Sequence, residues 1–223
     1  MGDAVMDVEA VIRRIREKAQ PPEAPVVLSQ GPAWLSRCAP RGVPGHYAVR
    51  EAIRSGPRDT HAIRAVRATM AGFMKFRGDK NMVGSVPAML MLSGPPRTGK
   101  TVALSYAIAS VDATALYVST YQMADVQRPS RHYDDHPWTR WREVDVLAID
   151  ELHADESVIP RVKSLLYERW DNGKCTLLGG NVTVPLFLER YLCDPALQAR
   201  VMEEYGDSGR LSHLEFTVTV KDL

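Results

Sequence analysis

The 223-residue chain is 45% hydrophobic and 25% charged and carries a formal net charge of +1. It is long enough to bury one substantial core with some sequence to spare, and its composition is that of an ordinary globular protein. Its near-neutrality excludes a globally basic nucleic-acid binder while leaving local patches open.

Asp3, Asp7 and Glu9 stand where a secretory signal needs basic charge, and no apolar run approaches the roughly 18 residues of a membrane span. Cys38, Cys175 and Cys193 form no C-x-x-C, which argues against a zinc site or disulfide framework. A soluble cytoplasmic protein is expected. Residues 3–19 carry Val5, Val8, Val11, Ile12 and Ile15 at helical spacing, an amphipathic helix. Residues 20–45 hold six prolines and three glycines, a linker or irregular wrap. The expected division is therefore residues 1–44 as helix and linker and 45–223 as the main domain. Two helices, around 46–56 and 60–78, precede the first strand. Between residues 41 and 80 nine Lys/Arg face three acids, either a solvated helix face or a polyanion contact.

From there strands and helices alternate. Strands are expected at 86–92, 115–120, 145–150, 175–181 and 213–220, and helices at 100–110, 157–173, 184–193 and 195–205. A polar, aromatic segment spans 121–142. The alternation predicts a mostly parallel, doubly wound α/β sheet.

The first strand, "VPAMLML", runs into "SGPPRTGKT". Gly94 to Thr101 fit G-x-x-x-x-G-K-[ST], the phosphate loop of nucleoside triphosphatases. Strand, glycine loop and helix are the arrangement this loop needs, because the helix N-terminus adds unpaired N–H groups and a dipole to the anion site. Gly94, Pro95, Pro96, Arg97, Thr98 and Gly99, with Val102 in the first helical turn, form the nucleotide-binding stretch. Lys100 reaches the β- and γ-phosphates, and Thr101 offers its hydroxyl to Mg²⁺. ATP and Mg²⁺ are the expected cofactors.

Asp150 follows Thr101 by forty-nine residues, within "VDVLAIDEL". A carboxylate at the carboxyl end of a buried strand is costly unless compensated, and Mg²⁺ is a natural partner for Asp150. Glu151 is then placed to activate the water that attacks the γ-phosphate. Asn181 ends the next strand, between loop and acidic pair, where a carboxamide can hold the water or phosphate without adding charge.

The stretches "GPPRTGKT", "DVLAIDEL", "LLYERWDNGKCTLLGGN", "LQARVMEEYGDSGRL" and "RGVPGHYAVREAI" together resemble AAA+ ATPases of the DnaC/IstB type, the bacterial helicase loaders and their relatives in transposition. The resemblance covers roughly residues 42–220. It implies a P-loop NTPase fold with a parallel five-stranded sheet of order 5-1-4-3-2, and assembly into a ring or spiral. It also implies a replicative helicase or transposase as partner, and an arginine reaching into the neighbour's nucleotide, for which Arg200 and Arg210 match. The helical lid of many AAA+ proteins and the zinc-bearing N-terminal domain of some loaders are expected to be absent. Arg97 stands where such loops usually carry glycine, and Gly179-Gly180 stand where hydroxyl residues usually precede the asparagine.

In loaders and initiators an insertion near 127–143 lines a pore that contacts single-stranded DNA. Arg128, Arg131 and His132 are the cationic candidates there, and Tyr133 and Trp138 can stack on bases. Trp138 and Trp141 are read rather as packing beneath the sheet, and Arg128 and Arg131 as phosphate contacts. Two other readings stay open: an adaptor that uses ATP to lock an oligomer with little hydrolysis, and a small-molecule phosphotransferase. The adjacent Asp-Glu pair and the lack of an evident acceptor lid disfavour the second.

Overall fold

The computed structural model describes residue 38 and residues 40–77, 88–126, 136–152, 157–181, 184–191 and 215–218. The expected helices at 3–19 and 195–205 lie outside them.

Five strands, β1 (Ala88–Ser93), β2 (Ala115–Ser119), β3 (Val146–Leu152), β4 (Cys175–Gly180) and β5 (Glu215–Val218), form one sheet in the order β2-β3-β4-β1-β5. Every pairing is parallel. Read from the other edge this is the expected 5-1-4-3-2. A parallel sheet must be covered on both faces, which is why β1 to β4 read as nearly continuous apolar runs.

Alternation along the strands sorts the core into two layers. Leu90, Leu92, Tyr117, Val146, Ala148 and Leu177 pack on one side with α1 (Tyr47–Ser55), α2 (His61–Arg77) and α3 (Lys100–Ser110). Met89, Met91, Val118, Leu147, Ile149 and Leu178 pack on the other. Four helices supply that second layer: α4 (Thr120–Asp125), α5 (Pro137–Glu143), α6 (Ile159–Asp171) and α7 (Val184–Tyr191). The helix at 100–110 is found at its expected limits, and every strand end lies within two residues of expectation.

Both described ends of the segment 121–142 are helical. Helix α4 begins at a capping box, with the Ser119 hydroxyl accepting from Gln122 N and the Gln122 side chain accepting from Ser119 N. Helix α5 starts with Pro137 in its first turn and with the His136 ring capping Trp138 N. Trp141 is buried in the second core layer and Trp138 packs against it edge-on at 4.9 Å. Trp141 is core and Trp138 packs half-buried against it.

Arg169 on α6 is fully buried. Its guanidinium donates to Trp141 O and Val144 O (both 2.8 Å), to Thr176 Oγ1 (2.9 Å) and to Cys175 O. It thereby ties the end of α5 to the amino ends of β3 and β4. Burial lowers its pKa to about 10, still cationic at neutral pH.

The last residues of the proline-rich stretch wrap the opposite layer. Arg41 donates to Ile108 O (2.6 Å), Val111 O and Ala113 O (both 2.9 Å), satisfying carbonyls at the end of α3. Arg41 O accepts Tyr117 N at 2.7 Å, so the wrap also engages the free edge of β2.

Candidate functional site

The site lies at the carboxyl ends of β1, β3 and β4. β1 ends at Ser93, and residues 94–99 turn into α3 with Pro95, Pro96 and Arg97 exposed. Gly99 is left-handed (φ 86°) with open space where a side chain would stand. Arg97 is also left-handed (φ 66°), the conformation that favours glycine at this position. Lys100 Nζ donates to Gly94 O (2.8 Å) and Pro95 O (2.7 Å), spanning the loop from within. Burial lowers the Lys100 pKa, opposed by the nearby Asp150 and Glu151 carboxylates.

Asp150 is 2% exposed and its oxygens are committed. Oδ2 accepts the Thr101 hydroxyl at 2.7 Å and the Tyr117 hydroxyl at 2.6 Å, and Oδ1 accepts Glu151 N at 2.8 Å. Loop helix and acidic strand therefore meet directly. A side chain at Gly179 would stand 2.6 Å from Asp150 Oδ1 and 2.7 Å from Leu104 Cδ1. That is the physical reason for glycine where hydroxyl residues were the norm.

Glu151 is exposed and left-handed (φ 59°). This is rare for a residue with a long side chain and concentrates at functional sites. Thr120, the first residue of α4, donates its hydroxyl to Glu151 O. Asn181 is exposed and directly follows Gly180, which stands in register with Ser93 on one side and Leu152 on the other. It therefore sits between loop and acidic pair, as expected.

Tyr117 and Thr120 carry no signal of this kind in the sequence. Tyr117 reads as one more apolar position of β2. Its register explains its reach: Tyr117 pairs with Ala148, so Asp150, two residues on, shares its face of the sheet. Burial and the Asp150 carboxylate raise its phenol pKa far above the usual value, so it donates as a neutral hydroxyl.

Arg128, Arg131, His132, Tyr133, Arg200 and Arg210 lie outside the described residues. Within the basic stretch, Arg41 is spent on α3. Arg54 pairs with Glu51 (2.7 Å), Arg64 with Asp59 (2.9 Å), and Arg67 lies over the Tyr106 ring at 5.5 Å. Several of the nine charges therefore have local partners.

The donor set fits Mg²⁺ in kind, because a carboxylate and a hydroxyl are hard oxygen ligands. Thr101 and Asp150 can hold the ion, and Lys100 with the loop amides can hold the phosphates.

No family model matches the chain, and no curated protein sequence matches it. Solved structures do match in fold. DnaI matches with 18% identity over 77% of this chain and 92% of that one, at a TM-score of 0.52. A replication initiator DnaA bound to AMPPCP and single-stranded DNA matches with 15% identity over 81% of this chain and 51% of that one, at 0.51. The DnaC helicase loader is 13% identical over 78% and 92%, at 0.47. The chain spans about half the length of the DnaA chains it matches. The resemblance expected from the motifs holds at the level of fold: a parallel α/β sheet with a phosphate loop after its first strand, shared with DnaI and DnaA. No helix among the described residues is long and apolar enough to cross a membrane.

Proposed function

We propose that this chain binds and hydrolyses ATP with Mg²⁺ and uses the cycle to act on a nucleic-acid machine, as a helicase loader or transposition ATPase that assembles on single-stranded DNA. The observation that carries the reading is the 2.7 Å contact between Thr101 and Asp150, which unites the phosphate loop with the acidic strand. The DNA half rests on a separate observation. It is the shared fold with a DnaA bound to AMPPCP and single-stranded DNA.

Bound Mg²⁺ would neutralise charge developing on the transferred phosphoryl oxygens. The chain's own residues do the remaining work. Lys100 exchanges its two loop carbonyls for phosphate oxygens, and Asp150 keeps the Thr101 hydroxyl oriented. Glu151 takes the proton of the attacking water, and Asn181 holds that water or the γ-phosphate. Self-association brings Arg200 or Arg210 to the neighbouring nucleotide. Arg128, Arg131 and His132 meet DNA phosphates in the assembled pore.

An adaptor that locks an oligomer with little turnover remains the second reading. It is favoured by one observation, the left-handed Arg97 in a loop where glycine is usual. A Mg²⁺-dependent ATPase assay on the pure protein, with and without single-stranded DNA, separates the two. Turnover stimulated by DNA supports the first, and tight nucleotide binding without turnover supports the second.

A further inference from the structure

Asp150 is held by more than the loop. Tyr117 OH donates to the same oxygen, Oδ2, that accepts Thr101. Tyr117 is buried in the core layer that includes α3.

The backbone of Tyr117 is in turn the point at which residues 40–44 engage the sheet. Arg41 O accepts Tyr117 N at 2.7 Å. Gly42, left-handed at φ 72°, passes so close to Tyr117 O that an added Cβ would stand 2.5 Å from it. The Arg41 side chain meanwhile holds the carboxyl end of α3, the helix whose first two residues are Lys100 and Thr101. One short strap therefore grips both elements that present groups to Asp150.

We propose that Tyr117 is a positioning residue of the magnesium site: its hydroxyl fixes the Asp150 carboxylate toward Thr101, and the strap at residues 40–44 fixes Tyr117. The inference rests on the nucleotide reading above. It assigns the chain N-terminal to the strap a mechanical route to the metal site, through Arg41 and Gly42 to Tyr117 and Asp150.

The test is a titration of a fluorescent ATP analogue across a series of Mg²⁺ concentrations, with a chelator arm, on wild type and Tyr117→Phe. The substitution keeps the ring that packs the core and removes only the donor. Losing one hydrogen bond to a charged group should raise the Mg²⁺ concentration for half-maximal tightening by roughly 10-fold or more. Affinity in chelator should stay within about twofold, because the contacts of Lys100 and the loop are untouched. Gly42→Ala, which leaves every group at the site in place, should shift the Mg²⁺ dependence in the same direction by displacing the strap. A Mg²⁺ dependence in Tyr117→Phe equal to wild type overturns the proposal, as does an equal loss with and without metal. An unchanged Gly42→Ala removes the strap from it. A wild-type protein that shows no Mg²⁺-dependent nucleotide binding overturns the proposed function and this inference with it.

Discussion

Thr101 and Asp150 stand 49 positions apart in the chain and 2.7 Å apart in the fold. That contact exists because β3 lies next to β4 and β4 next to β1, so the carboxyl ends of β1 and β3 face one another across two glycines. Gly179 leaves the space that Asp150 Oδ1 occupies. The electrostatic consequence is a buried carboxylate satisfied by two hydroxyls and one amide, without a cation among those three donors. A divalent ion is the natural addition to such a group.

Arg97 tests how much strain the loop carries. A left-handed non-glycine residue costs about 1–2 kcal/mol, partly offset in a glycine variant by the freedom glycine gains when unfolded. Arg97→Gly should leave stability unchanged or raise it by up to about 1 kcal/mol, and Arg97→Val should lower it. Urea unfolding of both checks this. A valine variant as stable as the glycine variant would mean that the loop relaxes out of the left-handed region.

Arg169 separates scaffold from site. Arg169→Met removes the donor that Trp141 O, Val144 O and Cys175 O accept from. Each unsatisfied buried group costs about 1–3 kcal/mol, so a loss of about 3 kcal/mol or more is expected in chemical denaturation. These contacts lie at the amino ends of the strands, away from the loop. The folded fraction of the variant should therefore bind nucleotide with wild-type affinity.

The strands, the phosphate loop and the acidic strand are legible in the sequence for one reason: each is local, whereas the order of the strands came only with the family resemblance. A buried parallel strand is a short apolar run, and the loop and its helix follow it without interruption. Tyr117 is not legible, because a tyrosine within "ALYVS" looks like core until the register sets it two residues from Asp150 on the same face. The left-handed turn at Glu151 is equally hidden, since "DEL" contains no glycine to announce it. Helices α4 and α5 do carry local signals, Ser119 with Gln122 and His136 with Pro137. Those caps are easily lost inside a polar stretch. Arg41 shows the opposite error, a charge counted toward a basic patch that the fold spends on three carbonyls at the end of α3.

Hydrolysis should depend on a neighbouring copy through Arg200 or Arg210. A trans arginine is worth roughly 10³–10⁵ in rate in well-studied phosphoryl transfer, so specific activity should rise with protein concentration and collapse in the variant that removes the active arginine. A monomer with full activity at every concentration contradicts this.

DNA contact at Arg128 and Arg131 should appear in the salt dependence. Each lost phosphate contact lowers the slope of log affinity against log salt by roughly 0.7 for single strands. Replacing both with alanine should reduce that slope while ATP affinity stays unchanged. Arg64 with Arg67 is the control pair, since both have local partners in the fold. If the control pair changes the slope and the 128/131 pair does not, DNA runs along the N-terminal helices instead.

The most direct test of the account is phosphate release from Mg²⁺-ATP by wild type, Glu151→Gln and Lys100→Ala, with bound nucleotide measured in the same samples. General-base assistance is worth about 10²–10⁴-fold. Glu151→Gln should retain ATP while releasing phosphate slower by that factor, and Lys100→Ala should lose the nucleotide altogether. Wild-type turnover in Glu151→Gln, or wild-type affinity in Lys100→Ala, would contradict the site as assigned.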